Sequence, residues 1–317
     1  MKILVCGAGG FIGSHLVKRL KSAGHYVVGA DLEYPEFWQT FADEFHICDL
    51  RDKQAVSDLV TNDIDEIYQL AADMGGAGYI FVGNNDANIL HNNAKINLNI
   101  VDEMVQKDIK RIFYSSSACV YPKHIQIDPN NPNLQEESAY PANPDSEYGW
   151  EKIFSERLYL SYARNYNLTV RIARFHNIFG PYGPWRGGKE KAPAAICRKI
   201  FEAQNNGVVD IWGTGLQTRS FLYIDDCLDG IAKLMNSSFD QPLNLGSDRL
   251  ISINDLVFLV AKIAKKNVSI NNIPGPVGVT GRNSHNELIK TVLGWSPPDN
   301  LELGLKEVYT WIESLEK

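Results

Sequence analysis

Apolar residues in the first half of the chain fall into short runs, separated by longer stretches in which apolar positions recur at helical spacing. Residues 2–5, 26–30, 45–47, 66–70, 111–115 and 169–173 read as strands with helices between them. Strands joined by crossovers of a dozen or more residues pair in parallel, and helices cover both faces of such a sheet. The expected fold class is α/β, a doubly wound parallel sheet whose ligands lie at the strand C-termini. From about Phe175 the rhythm changes to Gly- and Pro-bearing segments separated by helices over residues 192–203, 253–264 and 303–315. This predicts a main domain over residues 1–174 and a smaller C-terminal substrate-binding lobe over 175–317, with residues 221–235 returning to the first domain. The polar stretch 122–147 is longer than an ordinary loop and is expected to cover a site rather than pack a core.

Composition narrows the partners. With 44% apolar and 22% charged residues the chain is of globular type, and no apolar run is long enough to span a bilayer. The first residues run straight into Ile3-Leu4-Val5 without the regions of a secretory signal, so a cytoplasmic location and no membrane partner are expected. Five cysteines (Cys6, Cys48, Cys119, Cys197, Cys227) contain no CxxC pair, which argues against a disulfide framework and against a metal site. A net charge of −7 disfavours nucleic acid and means that an anionic ligand needs a local cluster of cations.

The first strand is followed at once by Gly7-Ala8-Gly9-Gly10-Phe11-Ile12-Gly13 as the chain enters a helix. Backbone at Gly7, Gly10 and Gly13 can turn tightly and approach a pyrophosphate, and the N–H groups of the helix start at Phe11 and Ile12 face its charge. This is the Rossmann-type fingerprint of a dinucleotide site. Asp31 ends the second strand, 18 residues beyond Gly13, where a carboxylate accepts from both ribose hydroxyls and repels a 2'-phosphate, so NAD is favoured over NADP. Asp49, after the third strand, either meets the adenine amine or caps the following helix.

Tyr148 and Lys152 stand one helical turn apart and share a face. A free phenol, with a pKa near ~10, is a poor base at neutral pH, and a neighbouring ammonium favours its ionised form. Ser117, at the end of the fifth strand, can bond the same substrate hydroxyl. On the residues alone, Cys119 reads as a small buried side chain, and Lys191 as a surface charge or a phosphate ligand.

With these motifs the chain resembles the extended short-chain dehydrogenase/reductase family. The resemblance includes Gln69-Leu70-Ala71-Ala72, Asn177-Ile178-Phe179-Gly180-Pro181, and Gln217-Thr218-Arg219-Ser220-Phe221 leading to Tyr223-Ile224-Asp225-Asp226. It implies hydride chemistry on a nucleotide sugar by Ser117, Tyr148 and Lys152, with Leu70 and Ala71 beside the cofactor. Within the family, Ala72-Asp73-Met74-Gly75-Gly76, Ser117-Ala118-Cys119 and Gly187-Gly188-Lys189-Glu190-Lys191-Ala192-Pro193-Ala194-Ala195 are similar to the GDP-mannose 3,5-epimerases. That likeness implies oxidation at C4 by NAD, proton exchange at C5 and C3 by Cys119 as base and Lys191 as acid on opposite faces of the ring, and re-reduction.

The same resemblance implies a substrate, GDP-mannose, held by Gly75, Gly76, Ser117, Ala118, Cys119, Asn177, Glu190, Lys191, Ala192, Lys199, Gln217, Thr218, Arg219 and Arg282. Of these, Lys199, Arg219 and Arg282 are the expected cations for the diphosphate. Helices over 88–106 and 147–162 are the expected homodimer surface. His176 reads as a hydrogen-bonded structural group with a substrate role as its alternative. Other nucleotide-sugar enzymes on this scaffold, a 4-epimerase or a GDP-4-keto-6-deoxymannose epimerase/reductase, and a catalytically idle NAD-sensing protein remain open at this point.

Overall fold

In the computed structural model, which describes residues 1–132 and 134–316, each run read as a strand is one. In chain order they are β1 (Lys2–Cys6), β2 (Tyr26–Asp31), β3 (Glu44–Ile47), β4 (Glu66–Gln69), β5 (Arg111–Ser117) and β6 (Thr169–Phe175). Helices α1 (Phe11–Ser22), α2 (Lys53–Leu59), α3 (Ala77–Ile80), α4 (Asp86–Gln106) and α5 (Glu147–Tyr166) lie between them. The second half contributes β7 (Ile178–Phe179), α6 (Ala192–Glu202), β8 (Gly207–Trp212), β9 (Thr218–Arg219), β10 (Leu222–Tyr223), α7 (Ile224–Met235) and β11 (Leu243–Leu245). It ends with β12 (Ile251–Ser252), α8 (Ile253–Ile263), β13 (Val268–Ile273), β14 (Gly281–Arg282), α9 (Glu287–Leu293) and α10 (Leu301–Leu315).

Among the described residues the main sheet has the order β11-β6-β5-β4-β1-β2-β3, all pairs parallel. Strand order reverses between β1 and β4, so a crevice opens at their C-terminal ends, where ligands of such sheets bind. Apart from the exposed edge strand β3, the sheet is buried on both faces. Ile3 and Val5 of β1 join one apolar cluster, Leu4 and Cys6 the other, as the alternation of side chains along a strand requires.

The seventh strand, β11, was not read from the sequence, because three buried residues carry no usable periodicity. It pairs Leu243 with Ala173 and Leu245 with Phe175 of β6, while α7 packs on α1. The chain therefore comes back to the main sheet over a longer span than 221–235. In the smaller lobe α6, α8 and α10 pack together, and α10 buries Leu301, Leu305, Val308 and Ile312, a stripe at helical spacing.

Helix α5 carries the two residues of the YxxxK pair. Ser146 caps it by accepting from Gly149 N at 3.2 Å, and Asn167 ends it in the left-handed region at φ 55°. A buried ion pair ties this helix to β6: Arg174 donates from Nε and Nη2 to both oxygens of Glu156, at 2.9 and 2.8 Å. The stretch 122–147, expected to cover a site rather than pack a core, packs one: none of its described residues lines the cavity at the strand ends. Its Leu134 and Ala139 are buried with Val120, Tyr121 and Ile153 in a small core of their own.

Candidate active site

Above the sheet ends lies a cavity of about 900 Å³. At one end, α1 starts after Gly10 with no side-chain cap and no acid in its first turn. The turn before it is packed backbone on backbone: a Cβ on Gly13 would lie 1.9 Å from the carbonyl oxygen of Gly7. Gly7, Gly10, Phe11, Ile12 and Gly13 all line the cavity. The result is a shallow cradle with the positive end of a helix above it, which suits a pyrophosphate.

Asp31 closes this end. Its carboxylate accepts from Gly9 N at 2.8 Å and Leu32 N at 2.7 Å, and burial pushes its pKa up against those two donors. Leu70 and Ala71 form the opposite wall. Asp49 also lines the cavity, but Arg51 grips its carboxylate, with Nη2 2.7 Å from Oδ2. The cap of α2 is Asp52, which accepts from Gln54 N and Ala55 N, so the capping alternative for Asp49 falls away. An open cradle, an uncapped helix start and a fixed carboxylate at the end of β2 are what a dinucleotide needs, and the residues present fit NAD.

Ser117, Cys119, Tyr148, Lys152 and Lys191 line the middle of the same cavity. Ser117 and Cys119 come from the end of β5 and the turn that follows, where Cys119 N donates to Ser117 Oγ at 3.2 Å. Lys152 Nζ lies 5.4 Å from the Tyr148 ring centre and donates to the Ser115 carbonyl at 3.0 Å. Burial pushes the Tyr148 phenol well above its ordinary value, with the Cys119 and Glu151 charges adding and a Ser117 hydrogen bond opposing. Burial pushes the Lys152 ammonium down, and Glu151 and Glu156 push it back. The carboxylate of Glu151, 4.0 Å away, is itself held by Asn97 Nδ2 at 3.0 Å and Ser155 Oγ at 2.6 Å.

Lys191 precedes α6, with Pro193 in the first turn of that helix. Burial lowers its pKa, and a charged Cys119 would raise it. Gly76 N donates to the Lys189 carbonyl at 3.2 Å, and a Cβ on Gly76 would meet the Glu190 carbonyl at 2.6 Å. The segments containing Gly75-Gly76 and Glu190-Lys191-Ala192, distant in sequence, thus form one wall.

The expected diphosphate cations differ in their surroundings. Lys199 Nζ donates to the Asp210 carbonyl at 2.6 Å, and Arg219 donates to the carbonyls of Thr218, Val277 and Val279 at 2.7, 2.9 and 2.7 Å. Neither has a carboxylate partner among the described residues, and burial lowers Arg219 to about 10. Arg282 is different. It is buried, its Nη2 pairs with Asp145, its Nε donates to Gln126 Oε1 at 2.6 Å, and its Nη1 lies 3.3 Å from Cys119 Sγ.

Ala118, Asn177, Glu190, Ala192 and Gln217 line the cavity; Asn177 adopts φ 45° and donates to the Ser220 carbonyl at 2.9 Å. Thr218 does not line it: its hydroxyl turns away to the Pro129 carbonyl, because strand alternation sends its side chain opposite to those of Gln217 and Arg219. His176 is fully buried, bonded through Nε2 to Asn244 Oδ1 at 2.9 Å, and its pKa is pushed down to about 3 by burial. It is structural.

Sequence reasoning named neither Asp145, which pairs with Arg282 just before the α5 cap, nor Trp212, which ends β8, lines the cavity and is 43% exposed. An exposed tryptophan ending an amphipathic strand is a signal that was available. Among the described residues no cluster of His, Cys, Asp or Glu is arranged to hold a metal ion, and no helix is long and apolar enough to cross a membrane.

Comparison with known proteins agrees with this geometry. A GDP-mannose 3,5-epimerase of Arabidopsis thaliana is 46% identical over 320 residues, covering 100% of this chain and 84% of that protein. A GDP-mannose 3,5-epimerase 1 of Oryza sativa subsp. indica is 45% identical over 323 residues, covering 100% of this chain and 83% of its own. The crystal structure of UDP-glucuronic acid 4-epimerase from Bacillus cereus, in complex with UDP-glucuronic acid and NAD, superposes with a TM-score of 0.82 at 27% identity, covering 99% of this chain and 100% of that one. Residues 3–246, from β1 through the returning strand β11, match the model of the NAD dependent epimerase/dehydratase family, and the chain belongs to that family.

Proposed function

We propose that this chain is an NAD-dependent GDP-mannose 3,5-epimerase, converting GDP-D-mannose to GDP-L-galactose and to the C5 epimer GDP-L-gulose. One observation carries the reading: Tyr148, Cys119 and Lys191, from three separate segments, line one cavity beside the dinucleotide cradle. Gly7, Gly10, Phe11, Ile12, Gly13, Asp31, Asp49, Leu70 and Ala71 would hold NAD together with Tyr148 and Lys152. When bound, NAD supplies the hydride acceptor, and later the donor, for C4 of the hexose.

The protein moves the protons. Tyr148 takes the proton of the C4 hydroxyl, with Ser117 bonding the same oxygen and Lys152 favouring the phenolate. A C4 ketone makes the protons at C3 and C5 acidic, since the electrons left behind are shared with the carbonyl. Inversion then needs removal on one face and delivery on the other. Cys119 Sγ is the base and Lys191 Nζ the acid, and the lowered pKa of Lys191 suits donation near neutral pH. After one inversion the sulfur carries a proton and the lysine has lost one, so both exchange with solvent before the second.

Lys199 and Arg219, without carboxylate partners, suit the diphosphate, and Trp212 offers a face for the nucleobase. Gly75, Gly76, Ala118, Asn177, Glu190, Ala192, Gln217 and Arg282 would surround the hexose; Thr218, turned away, is dropped from this set. Leu90 and Leu98 of α4 and Trp150 and Phe154 of α5 are exposed apolar residues on two helices packed side by side, and they support a homodimer across this face.

The test is incubation of the protein and NAD with GDP-mannose in deuterated water. Deuterium at C5 or C3 in inverted product, lost in Cys119→Ala and Lys191→Ala, is the expected result. A folded, NAD-loaded wild-type protein that exchanges neither proton would overturn the reading.

A further inference from the structure

Arg282 was expected to grip phosphate, yet its strongest partners are protein groups, and they converge on the reacting sulfur. The guanidinium is locked in its plane from three sides. Gln126 is buried and its amide nitrogen donates to the carbonyls of Tyr121 and Pro122, at 3.0 and 3.2 Å, which leaves Oε1 fixed to accept from Arg282 Nε. Asp145, buried immediately before the α5 cap, takes Nη2. The backbone beneath cannot shift easily, since a Cβ on Gly281 would lie 2.3 Å from the Asp128 carbonyl. With Nε and Nη2 fixed, Nη1 is aimed at Cys119 Sγ, at 3.3 Å.

We propose that Arg282 and Asp145 are positioning residues that set the ionisation of Cys119, the guanidinium favouring the thiolate and the carboxylate holding the guanidinium while offsetting part of its charge. This rests on Cys119 being the base of the epimerisation. A buried Arg–Asp pair alone would be ordinary fold chemistry. What distinguishes this one is a directed N–H on sulfur, which stabilises the charged acceptor over the neutral one. Two of the five guanidinium N–H groups remain for substrate.

The other groups facing the sulfur are the Tyr148 phenol, the Ser117 hydroxyl and the cations of Lys152, Lys191 and Arg219. Burial raises the thiol pKa, Asp145 raises it further, and Arg282 and Ser117 pull it down. Removal of either positioning charge therefore moves the thiol in opposite directions.

The measurement is the pH dependence of Cys119 alkylation by iodoacetamide, with NAD present and no nucleotide sugar. A Cys48→Ser background removes the other thiol that lines the cavity, since Cys6, Cys197 and Cys227 are buried away from it. Peptide mass spectrometry locates the label. In Arg282→Gln the neutral-pH rate should fall on the order of tenfold, one pKa unit, with partial recovery in Arg282→Lys. In Asp145→Asn, which keeps an acceptor for Nη2, the rate should rise. Because Arg282→Gln strands a buried carboxylate, Asp145→Asn/Arg282→Gln is measured too and should fall between the single variants.

Unchanged profiles in folded Arg282→Gln and in the double variant, or a slower rate in Asp145→Asn, would overturn the proposal. Unchanged profiles together with loss of deuterium exchange in Cys119→Ala would leave the epimerase reading standing without it. Shifted profiles with exchange intact in Cys119→Ala would mean that the thiol is tuned but is not the base.

Discussion

At the cofactor end of the cavity the working parts are backbone: seven consecutive residues, Gly7 to Gly13, and one carboxylate at the end of the next strand. At the sugar end they are side chains drawn from Ser117, Cys119, Asp145, Tyr148, Lys152, Lys191, Arg219 and Arg282, which span half the chain. The first end works by leaving atoms out, since close approach and free N–H groups require that no Cβ intervene. The second works by setting charges against burial, each ionisable group held by another. Damage to the first should thus appear as lost cofactor affinity, and damage to the second as lost chemistry with the cofactor still bound.

Tyr148→Phe is the sharpest test of that division. It removes one oxygen from a buried site and leaves the cradle alone, so kcat should fall about 10³-fold, the scale of a lost general acid–base group. NAD affinity by titration calorimetry should stay within a few-fold. A matching collapse of NAD binding would erase the distinction between the two ends.

Gly13→Ala should do the reverse. Its Cβ would meet the Gly7 carbonyl oxygen at 1.9 Å, so either the turn or α1 must move. Overpacking of this kind costs about 1–3 kcal/mol, and the displaced N–H groups should weaken NAD binding by roughly tenfold or more. The pH profile of Cys119 alkylation in the NAD-free protein should not move, which checks that the sugar end is built independently.

The same contrast explains what was legible in the sequence. The glycine turn, Asp31 and six of the main-sheet strands are local patterns, and the structure has them where the sequence reading put them. β11 escaped because its three residues become a strand only by pairing with β6. The family resemblance supplied Cys119, Lys191 and Arg282, and all three do line the cavity. The partner of Arg282 was invisible, because Asp145 meets it across 137 residues of sequence. Thr218 was misplaced by a run of three candidates along a strand, where alternation must turn the middle one away.

A smaller effect, sensitivity to acid, is common to the two ends. Each end rests on a buried neutral histidine: His15 of α1, whose ring bonds the Pro181 carbonyl at 3.0 Å, and His176, bonded to Asn244. Burial pushes their pKa values down from 6.5 to about 4 and about 3. Between these values and the unfolded value near ~6.5, the unfolded chain binds more protons than the folded one. Stability is therefore fully present above that upper value and falls as pH drops through the window. From pH 6.5 to 5 each histidine accounts for about 2 kcal/mol of that fall. Urea unfolding of His176→Asn over this range should show a shallower loss by about that amount, with the His15 contribution left in place. An unchanged slope would mean that His176 is already charged in the fold, in conflict with its burial beside Arg174 and Arg282.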